Sequence, residues 1–142
     1  MEEANPIRVL VVDDHETLRA SVKGALAPYL DIKHVGEAEN GLEAIQRCAE
    51  TKPDVILMDF SMPILNGVKA AEAIRKKHPD VKIILWSLWI ELDTSMDVEL
   101  FGVDRLLSKN LSIDVLVREI RGLANFPKED LRNAEITQQI GA

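Results

Sequence analysis

The sequence predicts an α/β fold, a three-layer sandwich in which one five-stranded parallel sheet is covered by helices on both faces. Three observations predict it. Short β-branched runs alternate with stretches whose apolar residues recur at helical spacing. Proline and aspartate punctuate the joins, at Pro28, Lys52-Pro53-Asp54 and Pro79-Asp80. Two of the runs end abruptly in acids, Asp13-Asp14 and Asp59. Alternation of strand and helix implies right-handed crossovers, and hence parallel strands buried on both faces.

Each element has its own signal. Ile7-Arg8-Val9-Leu10-Val11-Val12 is short and β-branched, the composition of a buried first strand. Residues 16–27 follow as a helix with Leu18, Val22, Ala25 and Leu26 on one face, halted by Pro28. Residues 32–37 form the second strand. Asn40 caps the next helix, whose buried stripe is read as Leu42, Ile45, Cys48 and Ala49. Residues 55–58 are the third strand, 67–78 the third helix and 81–86 the fourth strand. Residues 91–100 give a weaker helix, with Leu92, Met96 and Leu100 as a thin apolar line among acids. Residues 105–107 make a short fifth strand. Ser112 then caps a last helix on which Ile113, Leu116, Val117, Ile120 and Leu123 recur at helical spacing. The division predicted is one domain over residues 1–125, followed by a polar tail or linker over 126–142.

Composition narrows the function. The 142 residues are 46% hydrophobic and 29% charged, the balance of one ordinary globular domain with a proper core. A net charge of −7 argues against a nucleic-acid or anionic-membrane surface on this chain. No apolar stretch reaches membrane-spanning length, and the first residues lack the build of a signal peptide. Cys48 is the single cysteine and has no internal partner, which favours a reducing compartment, the cytoplasm. It lies on an apolar helical stripe and is read as a small core residue. His15, beside the acid pair, is read as an exposed surface histidine near the pocket.

The acids carry the chemistry. If the first and third strands are neighbours, Asp13, Asp14 and Asp59 meet at the carboxyl edge of the sheet, where open α/β sheets bind ligands. Like charges gathered there repel by about 3–4 kcal/mol per pair at an effective dielectric near 20. The cluster therefore calls for a cation, and hard carboxylate oxygens suit Mg²⁺, with Mn²⁺ as the alternative.

With these residues in place, the chain resembles the receiver domains of two-component response regulators over roughly residues 6–125. Val9-Leu10-Val11-Val12-Asp13-Asp14-His15 is similar to the first strand and acid pair of that family. Lys52-Pro53-Asp54-Val55-Ile56-Leu57-Met58-Asp59, with Met62-Pro63 and Gly67, is similar to its phosphoacceptor strand and loop. Ser87 stands where the family has a switch hydroxyl, and Lys109 where it has its lysine. The Asp-Asp-His start and the 22-residue step from Ser87 to Lys109 look most like receivers that precede a helix-turn-helix output domain.

The resemblance implies a flavodoxin-like (βα)5 fold. It implies Asp59 as phosphoacceptor and Asp13, Asp14, Asp59 and the backbone carbonyl of Ser61 as ligands of Mg²⁺. Lys109 and Ser87 would meet the phosphoryl oxygens. The implied donor is a sensor histidine kinase or a histidine phosphotransfer protein, with a homodimer through the last helices as a further option. Such a chain catalyses its own modification and is not a multiple-turnover enzyme. No basic recognition helix follows Asn125, so nucleic-acid binding by this chain alone is not expected, and an output domain would belong to a longer parent protein.

Four positions depart from the family pattern. Leu106 stands where an aromatic switch residue is usual. Asn110 replaces a proline that tends to a cis peptide, which predicts a trans bond here. Leu88 is bulkier than the usual small residue, and Trp89 lies two beyond Ser87, which together predict slow phosphodonor entry and slow hydrolysis. Leu106, Leu88 and Asn110 motivate a second reading, a receiver-like interaction module that binds partners through its fourth and fifth helices without phosphorylation. An aspartyl-phosphate hydrolase is disfavoured because the position of its second acid is Ser61.

Overall fold

The computed structural model describes residues 5–88 and 101–125. The elements run β1 (Ile7–Val12), α1 (Glu16–Leu26), β2 (Ile32–Ala38), α2 (Gly41–Thr51), β3 (Val55–Asp59), α3 (Gly67–Lys77), β4 (Lys82–Ser87), β5 (Arg105–Ser108) and α4 (Ile113–Ala124). Successive side chains of a strand point to opposite faces, so each inner strand feeds two cores. Val9 and Val11, Val55 and Leu57, and Ile84 and Trp86 join Val22 and Leu26 of α1 and Leu116, Val117, Ile120 and Leu123 of α4. Leu10 and Val12, Ile56 and Met58, and Ile83 and Leu85 join Ala44 and Cys48 of α2 and Ala70, Ala71 and Ile74 of α3. The result is the expected three layers.

All five strands are parallel and lie in the order β2-β1-β3-β4-β5. The order reverses between β1 and β3, which creates a crevice at their carboxyl ends. Cross-strand register sets what reaches that crevice: Val12 pairs with Met58, Asp59 with Trp86, and Ser87 with Ser108. Asp13 leaves β1 on the residue that follows, while its N–H still donates to the Ala38 carbonyl at 3.0 Å.

Caps fix the helix starts. The side chains of Asn40 and Ser112 accept from the N–H of Glu43 and Val115, at 2.8 and 3.4 Å, and Asn66 caps α3 in the same way. The strands found are within a residue or two of those expected, and β4 extends to include Ser87.

One expected stripe is corrected. In α2 the buried residues are Gly41, Ala44 and Cys48, with Ile45 partly buried, whereas Leu42 is 51% exposed and Ala49 is exposed. Cys48 and Ile45 stand on the packed side as expected, while Gly41 and Ala44 take the buried places given to Leu42 and Ala49. Gly41 sets the phase: a Cβ there would lie 2.2 Å from the Leu65 carbonyl oxygen, so this side of the helix presses on the β3–α3 loop. The helix expected over 91–100, Trp89 and the tail over 126–142 lie outside the described residues.

Candidate functional site

Strand alternation builds the site. Asp13 continues the face of Val9 and Val11, Asp59 that of Val55 and Leu57, and Lys109 that of Leu107. All three therefore emerge on the α1/α4 side of the sheet at its carboxyl edge. Asp13 is fully buried and Asp59 is 5% exposed, while Asp14, past the strand end, is exposed.

Lys109 reaches between the acids. Its Nζ lies 2.7 Å from Asp13 Oδ2 and 3.4 Å from Asp59 Oδ1, with its side chain only 8% exposed. Its backbone N–H donates to the Ser87 carbonyl at 2.9 Å, which ties the lysine to the end of β4. Ser87 is buried at the same edge. Ser61 is exposed, and its N–H donates to Asp59 Oδ1 at 3.3 Å.

Burial raises the pKa of Asp59 above the ordinary carboxylate range, and the neighbouring charge of Asp13 raises it further. A hydrogen bond with Asp14 acts in the same direction. The Lys109 ammonium and the Ser61 N–H oppose the rise without cancelling it.

The donor set fits a hard divalent cation. One ligand atom each from Asp13, Asp14, His15 and Asp59 lies within 4.8 Å of every other. Three carboxylates against one ammonium leave two negative charges without a counter-ion when all are ionised, which suits a divalent ion with oxygen ligands. His15, expected as an exposed histidine near the pocket, joins this cluster. Its side chain is 70% exposed, yet its Nδ1 lies 3.0 Å from Asp13 Oδ1 and 3.2 Å from Asp14 Oδ1.

Two further residues hold the site in place: Arg19, which escaped the sequence reading, and Gly67, which the loop motif included. Arg19, on the first full turn of α1, donates from its guanidinium to the Asp13 backbone carbonyl and pairs with Glu37 of β2 at 3.0 Å. The available signal was an arginine one turn beyond the acids on a helix otherwise packed by Leu18 and Val22. The β3–α3 loop is fixed by Gly67, whose N–H donates to the Phe60 carbonyl at 3.1 Å. A Cβ on Gly67 would lie 2.3 Å from the Asp59 carbonyl oxygen, so only glycine permits this approach.

The departures now have positions. Leu106 is buried in the α2/α3 core, in the cluster that also takes Val103 and Phe101. Leu88 is 56% exposed. No cis peptide occurs among the described residues, so the Lys109–Asn110 bond is trans as expected. A cavity of about 250 Å³ opens at the opposite, amino-terminal edge of the sheet, lined by Pro53, Asp54, Asp80, Val81, Lys82, Leu123 and Ala124, away from the acids.

Comparison with known proteins agrees with this fold. Residues 9–121 match the family described as response regulator receiver domain. The response regulator protein VraR of Staphylococcus saprophyticus is 37% identical over 131 residues, covering 92% of this chain and 62% of that protein. The chain thus spans about three fifths of the length of this curated relative. Among solved structures, the response regulator domain of Thermotoga maritima CheB superposes with a TM-score of 0.77 at 36% identity, covering 85% of this chain and 98% of that one. A DNA-binding response regulator of the LuxR family from Staphylococcus aureus gives a TM-score of 0.74 at 25% identity, over 83% of this chain and 98% of that one. Among the described residues, no helix is long and apolar enough to cross a membrane.

Proposed function

The chain belongs to the response regulator receiver domain family, and from that premise we propose that Asp59 accepts a phosphoryl group from a phosphohistidine. The donor is a sensor histidine kinase or a histidine phosphotransfer protein. One Asp59 carboxylate oxygen bonds to phosphorus as the phosphorus–nitrogen bond breaks, and that bond's electron pair stays on the donor imidazole. The observation that carries the reading is the convergence of Asp13, Asp59 and Lys109 within 3.4 Å contacts in a buried pocket.

Asp13, Asp14 and Asp59 are the residues that would hold Mg²⁺ or Mn²⁺, with the Ser61 carbonyl added from the resemblance alone. When bound, the ion would neutralise the acids and the charge on the transferring phosphoryl group. The chain's own groups do the rest. Lys109 places a compact ammonium against the phosphoryl oxygens. Ser87 donates its hydroxyl hydrogen to a second oxygen. Phosphorylation replaces the single carboxylate charge of Asp59 with a phosphoryl group carrying about 1.5–2 negative charges, which draws Lys109 and Ser87 toward it and biases a partner surface on the last helices.

In this reading residues 1–125 are the receiver and 126–142 a tail or linker. Catalysis is limited to the chain's own phosphorylation and dephosphorylation, in the cytoplasm. The alternative of a phosphorylation-independent binding module gains no support beyond the substitutions at Leu88, Leu106 and Asn110.

Incubation with phosphoramidate and Mg²⁺, followed by intact-mass measurement, should show addition of one phosphoryl group. Asp59→Asn should abolish it. Labelling that persists in this variant at the wild-type rate refutes the assignment.

A further inference from the structure

Trp86 stands inside the site, yet the phosphoryl chemistry above gives it no task. It pairs with Asp59 across the β3–β4 ladder, and its carbonyl accepts from the Phe60 N–H at 3.0 Å. The indole is 5% exposed, and among the described residues its Nε1 has no hydrogen-bond partner. A leucine would fill apolar space at the end of this core without leaving a buried donor unpaired. What an indole offers and a leucine lacks is a face of negative potential.

Lys109 lies over that face. Its Nζ is 5.6 Å from the Trp86 ring centroid, within cation–π range, and both side chains are withdrawn from water. Strand alternation makes the meeting obligatory, because Trp86 shares the sheet face of Asp13, Asp59 and Lys109. The ammonium therefore has three attractors: Asp13, Asp59 and the ring. Two of these are carboxylates that a divalent ion would claim. The ring is the one such an ion leaves to the lysine.

We propose that Trp86 is a positioning residue whose indole face seats the Lys109 ammonium when the carboxylates are engaged. Seated there, the ammonium stays within reach of a phosphoryl group on Asp59 and does not swing out to solvent. The proposal rests on the reading that Lys109 serves the phosphoryl oxygens.

The test compares phosphoramidate labelling rates of the full chain at saturating Mg²⁺ in wild type, Trp86→Leu, Trp86→Phe, Lys109→Met and the Trp86→Leu/Lys109→Met pair. Trp86→Leu should slow labelling about tenfold, as expected for loss of a desolvated cation–π contact, while Trp86→Phe stays within about threefold of wild type. Trp86→Leu should add nothing in the Lys109→Met background, and Mg²⁺ affinity should change by less than about twofold. An equal slowing in that background would mean general damage to packing and overturns the proposal. So does a wild-type rate for Trp86→Leu when Lys109→Met is slow. If Lys109→Met itself labels at the wild-type rate, the role of Lys109 fails first, and the two failures are distinguished.

A metal-free readout is independent of labelling. In a Trp89→Phe background Trp86 is the sole indole of the chain. Lys109→Met should then change its emission. Should Trp86→Leu not fold, this measurement and the Trp86→Phe rate decide the matter, and unchanged emission overturns the proposal.

Discussion

Lys109→Met removes the only lysine or arginine side chain that pairs with the Asp13 and Asp59 carboxylates among the described residues. At 2.7 and 3.4 Å, and an effective dielectric near 20, the two lost attractions are about 6 and 5 kcal/mol before desolvation is considered. The lysine no longer has to be dehydrated in the variant, which returns much of this. Breaking a buried pair from one side leaves a net loss of about 3–5 kcal/mol. Proton uptake on Asp59, whose pKa is already raised by burial, relieves part of the remaining repulsion, so the lower figure applies. A loss of about 3 kcal/mol in a domain of this size lowers Tm by roughly 10 °C. Thermal unfolding followed by circular dichroism, at pH 7.5 without Mg²⁺, measures it. The deficit should shrink as pH falls, because a proton on Asp59 then substitutes for the ammonium. Added Mg²⁺ should stabilise the variant more than wild type, because the ion replaces the missing charge. A variant that melts with wild type at pH 7.5 without metal would show that the lysine does not compensate the acids, and the electrostatic account of the site would fall with it.

Because the folded-state pKa of Asp59 lies above its unfolded value, the folded state binds the proton more tightly, and the metal-free protein should lose stability as pH rises through that window. Mg²⁺ needs the carboxylate, so its affinity should rise with pH as Asp59 ionises and then level; a Mg²⁺ affinity, read on tryptophan emission, that does not change with pH contradicts this. Asp59→Asn removes a buried charge repelled by Asp13 and should stabilise the metal-free protein by about 1–2 kcal/mol while shrinking its response to Mg²⁺, both visible in urea melts with and without the ion. Gly67→Ala drives a Cβ to 2.3 Å from the Asp59 carbonyl oxygen, so it should cost about 1–3 kcal/mol in the same melts and slow phosphoramidate labelling by displacing Asp59. Burial pushes the Cys48 thiol up to about 11, so a thiol reagent at pH 8 should react only when urea opens the core.

Much of this protein is local and was legible in the chain. Ile7–Val12 reads as a strand because its β-branched run is too short and too apolar for a helix, and Asn40 and Ser112 mark helix starts because their side chains can accept from the backbone three residues on. The convergence of Asp13 and Asp59 followed from placing each at a strand end, since parallel strands deliver their carboxyl ends to one edge, whereas Lys109 was placed there by the family resemblance.

What could not be read locally depends on which surfaces meet. The buried stripe of α2 begins at Gly41 and not at Leu42 because Gly41 must approach the Leu65 carbonyl, a contact between segments distant in sequence. Arg19 looked like one more charge on α1 until β2 brought Glu37 beside it and the turn presented the Asp13 carbonyl. His15 is exposed, as expected, but the turn that follows β1 swings its ring nitrogen onto two carboxylates. Trp86 was visible as an aromatic beside Ser87; that its ring lies under the lysine required the register of β3, β4 and β5. Residue order by itself determined the elements, the parallel sheet and the identity of the acids, because those rest on short-range periodicity and on strand direction. Tertiary structure alone decided the helix phase, the clamp on Asp13 and the aromatic seat beneath Lys109, because each is a contact across the sheet edge that no stretch of chain encodes.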